Sequence, residues 1–170
     1  MVDFLMSSSS AIEFCTDLSL RDDEYNGFNL LSHDGKNLCW HSNQIKEPYP
    51  LQAGVHTLSN ARLETQWPKT QRLKEGFIQI MNDGDNVIQA LLDLLGDATH
   101  DTQLASAEAK TSNHRESHLS SIFIRGEHYG TRCSTVLTVK DDNTINLIER
   151  RYDADTNCTG TSDFILKQDS

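Results

Sequence analysis

The sequence predicts an α+β fold of antiparallel sheets with helices packed on the outside, and three observations carry that prediction. Segments rich in β-branched residues gather late in the chain, at Leu119 to Arg125, Ser134 to Val139 and Thr144 to Arg150. Two helical stripes precede them back to back, between Pro68 and Gly96. Strands and helices therefore come in runs, which favours segregated layers over an alternating parallel α/β sheet.

In chain order, Ser10 followed three residues later by Glu13 forms a capping box, and Ala11, Ile12, Phe14 and Cys15 supply the apolar stripe of a short helix to about Asp17. Arg21 to Glu24 is a polar turn. Phe28 and Leu30 alternate before the turn residues Asp34-Gly35, and Leu38 to His41 resumes after them, a hairpin pattern. Gly54 to Leu58 is expected as a third strand, bounded upstream by Pro48 and Pro50. Pro68 suits the first position of a helix in which Leu73, Phe77 and Ile80 recur through Met81. Asn82 to Asp85 breaks it, and Val87, Ile88, Leu91, Leu92 and Leu95 form a second stripe that Gly96 closes. Residues 97–117 hold Leu104 as their one large apolar side chain and are expected as a mobile loop. The late strands form a meander turned by Asp141 to Asn143, and Phe164 to Leu166 is a short closing strand.

At 170 residues one domain is the expected organisation, spanning 1–170. The net charge of −10 repels phosphate backbones and anionic membranes, so nucleic acid is not an expected partner. No apolar run reaches the roughly 20 residues of a membrane-spanning helix, and the start, Met1 to Met6, carries Asp3 where a signal peptide carries a base. Cys15, Cys39, Cys133 and Cys158 have no paired spacing and read as free thiols in a reducing compartment. The sequon Asn157-Cys158-Thr159 has no chemistry there.

Two segments carry the functional side chains. Leu58 to Lys69 concentrates Asn60, Arg62, Glu64 and Trp67 between a strand and a helix, where loops hold ligands and an Asn amide can donate to a carbonyl or oxyanion. The alternative is that Asn60 turns the chain and Glu64 or Thr65 caps the helix. His128 to Thr135 sets Tyr129 and Arg132 around Gly130, where the guanidinium can clamp a carboxylate or phosphate, the alternative being a solvated surface turn. Cys133 lies near an Arg with no base fixed beside it, and a buried structural thiol is the expectation. None of the seven histidines forms a metal-directing helical pair; His114 and His118 are four apart in a polar stretch. His33, His41, His56 and His128 are equal candidates for an axial haem ligand, and no catalytic residue or metal site is assigned.

In order, Tyr25-Asn26-Gly27-Phe28-Asn29-Leu30, Gly54 to Lys69, Tyr129-Gly130-Thr131-Arg132 and Ile148-Glu149-Arg150 resemble the transport and Golgi organization protein 2 family, also called the NRDE family. The resemblance is clearest from Tyr25 to Arg150 and implies the C-terminal two-thirds of such a protein, a truncated form. Family members begin Met-Cys and carry an Asn-Arg-Asp-Glu tetrapeptide, neither of which occurs here.

The family looks like a branch of the N-terminal-nucleophile-hydrolase fold, so the resemblance implies part of that fold, with Asn60 similar to an oxyanion-binding Asn and Arg132 to a cleft Arg. It also implies intracellular trafficking: haem transport, Golgi organisation and secretion, and lipid or acyl-coenzyme A homeostasis, in cytoplasm, at mitochondria or at the Golgi. Haem is the ligand it leaves in view, since coenzyme A recognition is associated with the absent tetrapeptide. A cysteine amidohydrolase, inactive without its N-terminal nucleophile, is the alternative, and a truncated product without independent activity is another. Missing N-terminal strands would leave strands exposed, which predicts self-association.

Overall fold

The structure, a computed structural model, describes residues 2–45, 47–59, 63–100 and 121–167. It is α+β, with two antiparallel three-stranded sheets and helices on both. The chain divides into two compact units, Met1–Glu64 and Thr65–Ser170. Most of the loop expected over 97–117 lies outside the described residues, as do His114 and His118.

In the first unit, α1 (Val2–Leu5) precedes α2 (Ala11–Ser19), and a 3-10 turn (Asp22–Glu24) leads to β1 (Leu30–His33), β2 (Leu38–His41) and β3 (Tyr49–Leu51). The capping box at α2 is present, with the Glu13 amide donating to Ser10 Oγ and the Ser10 amide to Glu13 Oε2. Ala11 N–H, another donor that a helix start leaves over, is taken by Asp34 Oδ2 at 2.9 Å. Asp34 also accepts from the amides of Lys36 and Asn37, so one carboxylate shapes the β1–β2 turn and ties it to the helix. Ala11, Cys15 and Cys39 form the buried core beneath, with Phe4 and Phe14 against it.

The third strand is a correction. Gly54 to Leu58 forms only a single bridge, Leu58 to Leu63, and the strand that joins the sheet is Tyr49–Leu51. Pro50 read as a boundary because it has no N–H, but β3 is an edge strand in the order β1-β2-β3, where that missing donor costs least.

In the second unit, α3 (Pro68–Asp83) and α4 (Val87–Leu94) are followed by β4 (Cys133–Val139), β5 (Ile145–Tyr152) and β6 (Cys158–Leu166), paired in that order. Gly84 ends α3 at φ 73, a left-handed position suited to glycine. Leu92 of α4 packs with Val136 and Ile148, and Ile88, Leu91 and Leu95 flank them. Arg150 reaches back from β5 to Gln89 and Asp93 of the same helix.

Two further expectations are corrected here. Residues 121–125 are not a strand: Phe123 is buried, its amide donates to the Asp97 carbonyl, and its ring meets Tyr152 edge-on. Packing against the sheet, not pairing with it, accounts for its apolar pattern. The closing strand is nine residues long, because Cys158 to Asp163 is small and polar yet lies on an exposed edge.

Acid should weaken both units. Hydrogen bonds from the amides of Ala11, Asn37 and Lys36 hold the Asp34 carboxyl well below the usual range, the amide of Thr144 lowers Asp142, and that of Asn157 lowers Asp153. A lowered folded-state pKa contributes stability that is full above the unfolded value of about 3.9 and is lost as pH falls through the folded one. Urea midpoints are therefore expected to drop progressively below about pH 4, and Asp34→Asn should flatten that dependence. An unchanged pH profile in the variant would reject the assignment.

Candidate functional site

The first of the two sequence segments divides between the units, its part up to Glu64 in the first and its part from Thr65 in the second, and the other segment lies in the second unit. In the first unit, the described residues on either side of 60–62 are tied together. Leu58 and Leu63 bridge, the Glu64 amide donates to the Thr57 carbonyl at 2.8 Å, and Glu64 Oε1 accepts from the Thr57 amide at 3.1 Å. Glu64 holds φ 55, a left-handed conformation that turns the chain there. Its carboxylate also meets His56 Nδ1 at 3.2 Å, while His56 Nε2 donates to the Gln52 carbonyl at 2.8 Å. Glu64 is thus the anchor of this tie, not a cap of the following helix. Asn60 and Arg62 lie outside the described residues.

The segment Tyr25 to Leu30 bonds to the same part of the chain. Asn29 Oδ1 accepts from the Trp40 indole at 3.1 Å, and its amide donates to the Ser59 carbonyl at 3.4 Å. Asn43 Oδ1 accepts from the Phe28 amide, and its Nδ2 faces the carbonyls of Tyr25 and Asn26. Phe28 then meets His41 edge-on. His41 is fully buried and donates from Nε2 to Asp22 Oδ1 at 2.8 Å, while its Nδ1 is buried with no hydrogen-bond partner.

In the second unit, Trp67 is the N-cap of α3. Thr70 fixes that start, its buried hydroxyl accepting from the Trp67 amide at 3.0 Å and facing the Thr65 carbonyl at 2.8 Å. Tyr129 and Arg132 sit on a tight turn. The Thr131 amide donates to the Ile124 carbonyl, and Thr131 Oγ1 accepts from the Ile124 amide at 2.9 Å. A Cβ on Gly126 would stand 2.6 Å from the Tyr129 carbonyl oxygen, so the turn closes only on glycine. Arg132 Nη1 donates to the Asp153 carbonyl at 2.7 Å. Arg132 and the Tyr129 ring are both exposed, three residues apart. A planar anion can meet such a pair through stacking and a charge-assisted hydrogen bond.

The thiols divide. Cys15 and Cys39 are buried together, and burial, with Cys15 as neighbour, pushes the Cys39 thiol up to about 12. That is opposite to the shift a nucleophile needs. Cys133, expected to be buried, is exposed at the first position of β4, because alternation along that strand buries Ser134 and Val136 instead. Among the described residues no three His, Cys, Asp or Glu side chains converge as a metal site, and no helix is long and apolar enough to cross a membrane.

The pairings of His56 with Glu64 and His41 with Asp22 were not foreseen. Spacings of 8 and 19 residues have no period, and only the turns between bring them together.

Comparison with known proteins matches residues 1–154 to the family described as Transport and Golgi organisation 2. A bovine transport and Golgi organization protein 2 homolog is 30% identical over 164 residues, covering 88% of this chain and 59% of the bovine one. The human homolog is 29% identical over 161 residues, covering 86% and 58%. The chain thus spans less than two thirds of the length of these relatives.

Proposed function

From the premise that this chain belongs to the transport and Golgi organisation 2 family, we propose that it is a ligand-binding protein of intracellular trafficking rather than an enzyme, with haem as the ligand. The observation that carries this is the family match itself, which runs through both segments. The exposed Tyr129 and Arg132 supply chemistry suited to a planar ligand with carboxylates, and an acyl-coenzyme A would offer the same guanidinium its phosphates. Of the four histidines open to an axial role, His41 is buried with Nε2 engaged by Asp22, and both ring nitrogens of His56 face acceptors. His33 and His128 are exposed, and they are the candidates this reading retains.

The fold belongs to the same proposal. Each sheet carries a helix on one face, as the outer layers of an N-terminal-nucleophile-hydrolase-like stack would. We place the protein's action in the cytoplasm, at the Golgi or at mitochondria, by family alone.

Titrating haem into the purified chain is expected to give a saturable Soret shift that Arg132→Glu weakens and His128→Ala alters in position. A titration that matches an unrelated control protein would sink the haem reading. Arg132→Glu binding as tightly as the original would remove this turn from it.

A further inference from the structure

Two hydrogen-bond acceptors face one imidazole in the first unit. His56 Nε2 lies 2.8 Å from the Gln52 carbonyl oxygen, and Nδ1 lies 3.2 Å from Glu64 Oε1. A carbonyl and a carboxylate have no hydrogen to give, so each needs an N–H from the ring, and only the imidazolium carries two. A neutral ring carries one. With that hydrogen on Nε2, the lone pair of Nδ1 faces the carboxylate; with it on Nδ1, the lone pair of Nε2 faces the carbonyl. Either way one short contact changes from a hydrogen bond into a repulsion.

That contact helps to hold a strained residue. Glu64 stands at φ 55, a left-handed conformation uncommon for a residue with a side chain, which persists where surrounding contacts over-determine it. The Glu64 amide donates to the Thr57 carbonyl at 2.8 Å, and Oε1 takes both the Thr57 amide at 3.1 Å and the His56 ring. One carboxylate oxygen therefore joins two donors of the preceding stretch, and the one from a protonated ring is charge-assisted. The charged group that faces the ring is this carboxylate, from across the turn, and on its other side the ring meets the uncharged Gln52 carbonyl; among the described residues Glu64 is its one ion-pair partner. The two side chains are 31% and 43% exposed, so the ring proton exchanges with solvent without any unfolding.

We propose that the proton on His56 is a switch on this turn. With it, the ring ties the Gln52 carbonyl to Glu64 and the left-handed turn is held; without it, the tie between residues 52–58 and 63–64 loosens. Histidine changes charge between about pH 5 and 8, so the tie is firm at the acid end of that range and slack at the alkaline end. The direction is the reverse of the acid weakening expected from Asp34, and the window lies above it in pH. The switch lies wholly within the first unit and does not depend on which ligand the protein takes.

Nuclear magnetic resonance of the isotope-labelled full chain from about pH 5.5 to 8.5 tests it. The His56 ring nitrogens are titrated alongside exchange of backbone amides with water, each rate divided by its intrinsic value at that pH. At the acid end both ring nitrogens are expected to carry hydrogen. As the ring loses its proton, protection of the Thr57 and Glu64 amides should fall by about threefold or more, with the same midpoint. The Phe14 amide, bonded to the Ser10 carbonyl in α2, reports opening of the whole unit and should keep its protection. His56→Gln has no proton to lose in this range and should make the two profiles flat. Glu64→Gln keeps an acceptor for the Thr57 amide without the charge and should shrink the response. A ring that titrates with no change in either amide overturns the proposal, as does a ring whose charge is constant across the range. An unaltered profile in His56→Gln, or a parallel fall at Phe14, overturns it too.

Discussion

Leu92→Ala is expected to destabilise the second unit by about 2–5 kcal/mol, with a fall in melting temperature on the order of 10 °C or more. Leu92 is 3% exposed and is the central contact between α4 and the sheet, touching Val136 and Ile148. Truncation removes the transfer free energy of three carbons and leaves a cavity that a helix held by Arg150 at Gln89 and Asp93 cannot easily close. The neighbouring Leu91 is half-buried at the edge of the cluster, and its truncation should have a smaller effect. Urea unfolding followed by far-UV circular dichroism measures both. A loss under about 1 kcal/mol at Leu92 would mean that α4 does not close this core.

Asp22→Ala should cost the first unit about 1–3 kcal/mol, because it leaves His41 buried with neither ring nitrogen hydrogen-bonded. The pair fixes the turn before Tyr25, and Asn43 binds the next residues to the same strand end. Removing both polar partners is less damaging than removing one. His41→Leu combined with Asp22→Ala should therefore recover part of the loss. A double variant no more stable than Asp22→Ala alone would show that the histidine's polar atoms are not what that mutation exposes.

Much of the fold was legible because its cues are local. A capping box needs only Ser10 and Glu13, an αL stop needs Gly84, and the α3 and α4 stripes repeat at helical spacing. The two errors in strand placement share one cause. Local β pattern cannot say whether a strand finds a partner: Phe123 has the pattern and packs, while Tyr49–Leu51, with a proline, pairs at an edge. Of the candidate site, Glu64, Trp67, Tyr129 and Arg132 were identifiable as residue types in loops, but their roles were not. Glu64 bonds Thr57, Trp67 begins a helix, and Tyr129 and Arg132 ride on a turn made by Thr131 and two glycines.

The sequence by itself determined the α+β class, the helices α2, α3 and α4 and the family, since these rest on short-range periodicity and on the order of matching segments along the chain. Only the tertiary structure decided that Asn29 bonds Ser59 and Glu64 bonds Thr57, that His41 is committed to Asp22, and that Leu137 and Phe164 are aligned across three strands. Each of these depends on contacts between residues far apart in the chain, and such contacts follow from packing and register, which no local pattern specifies.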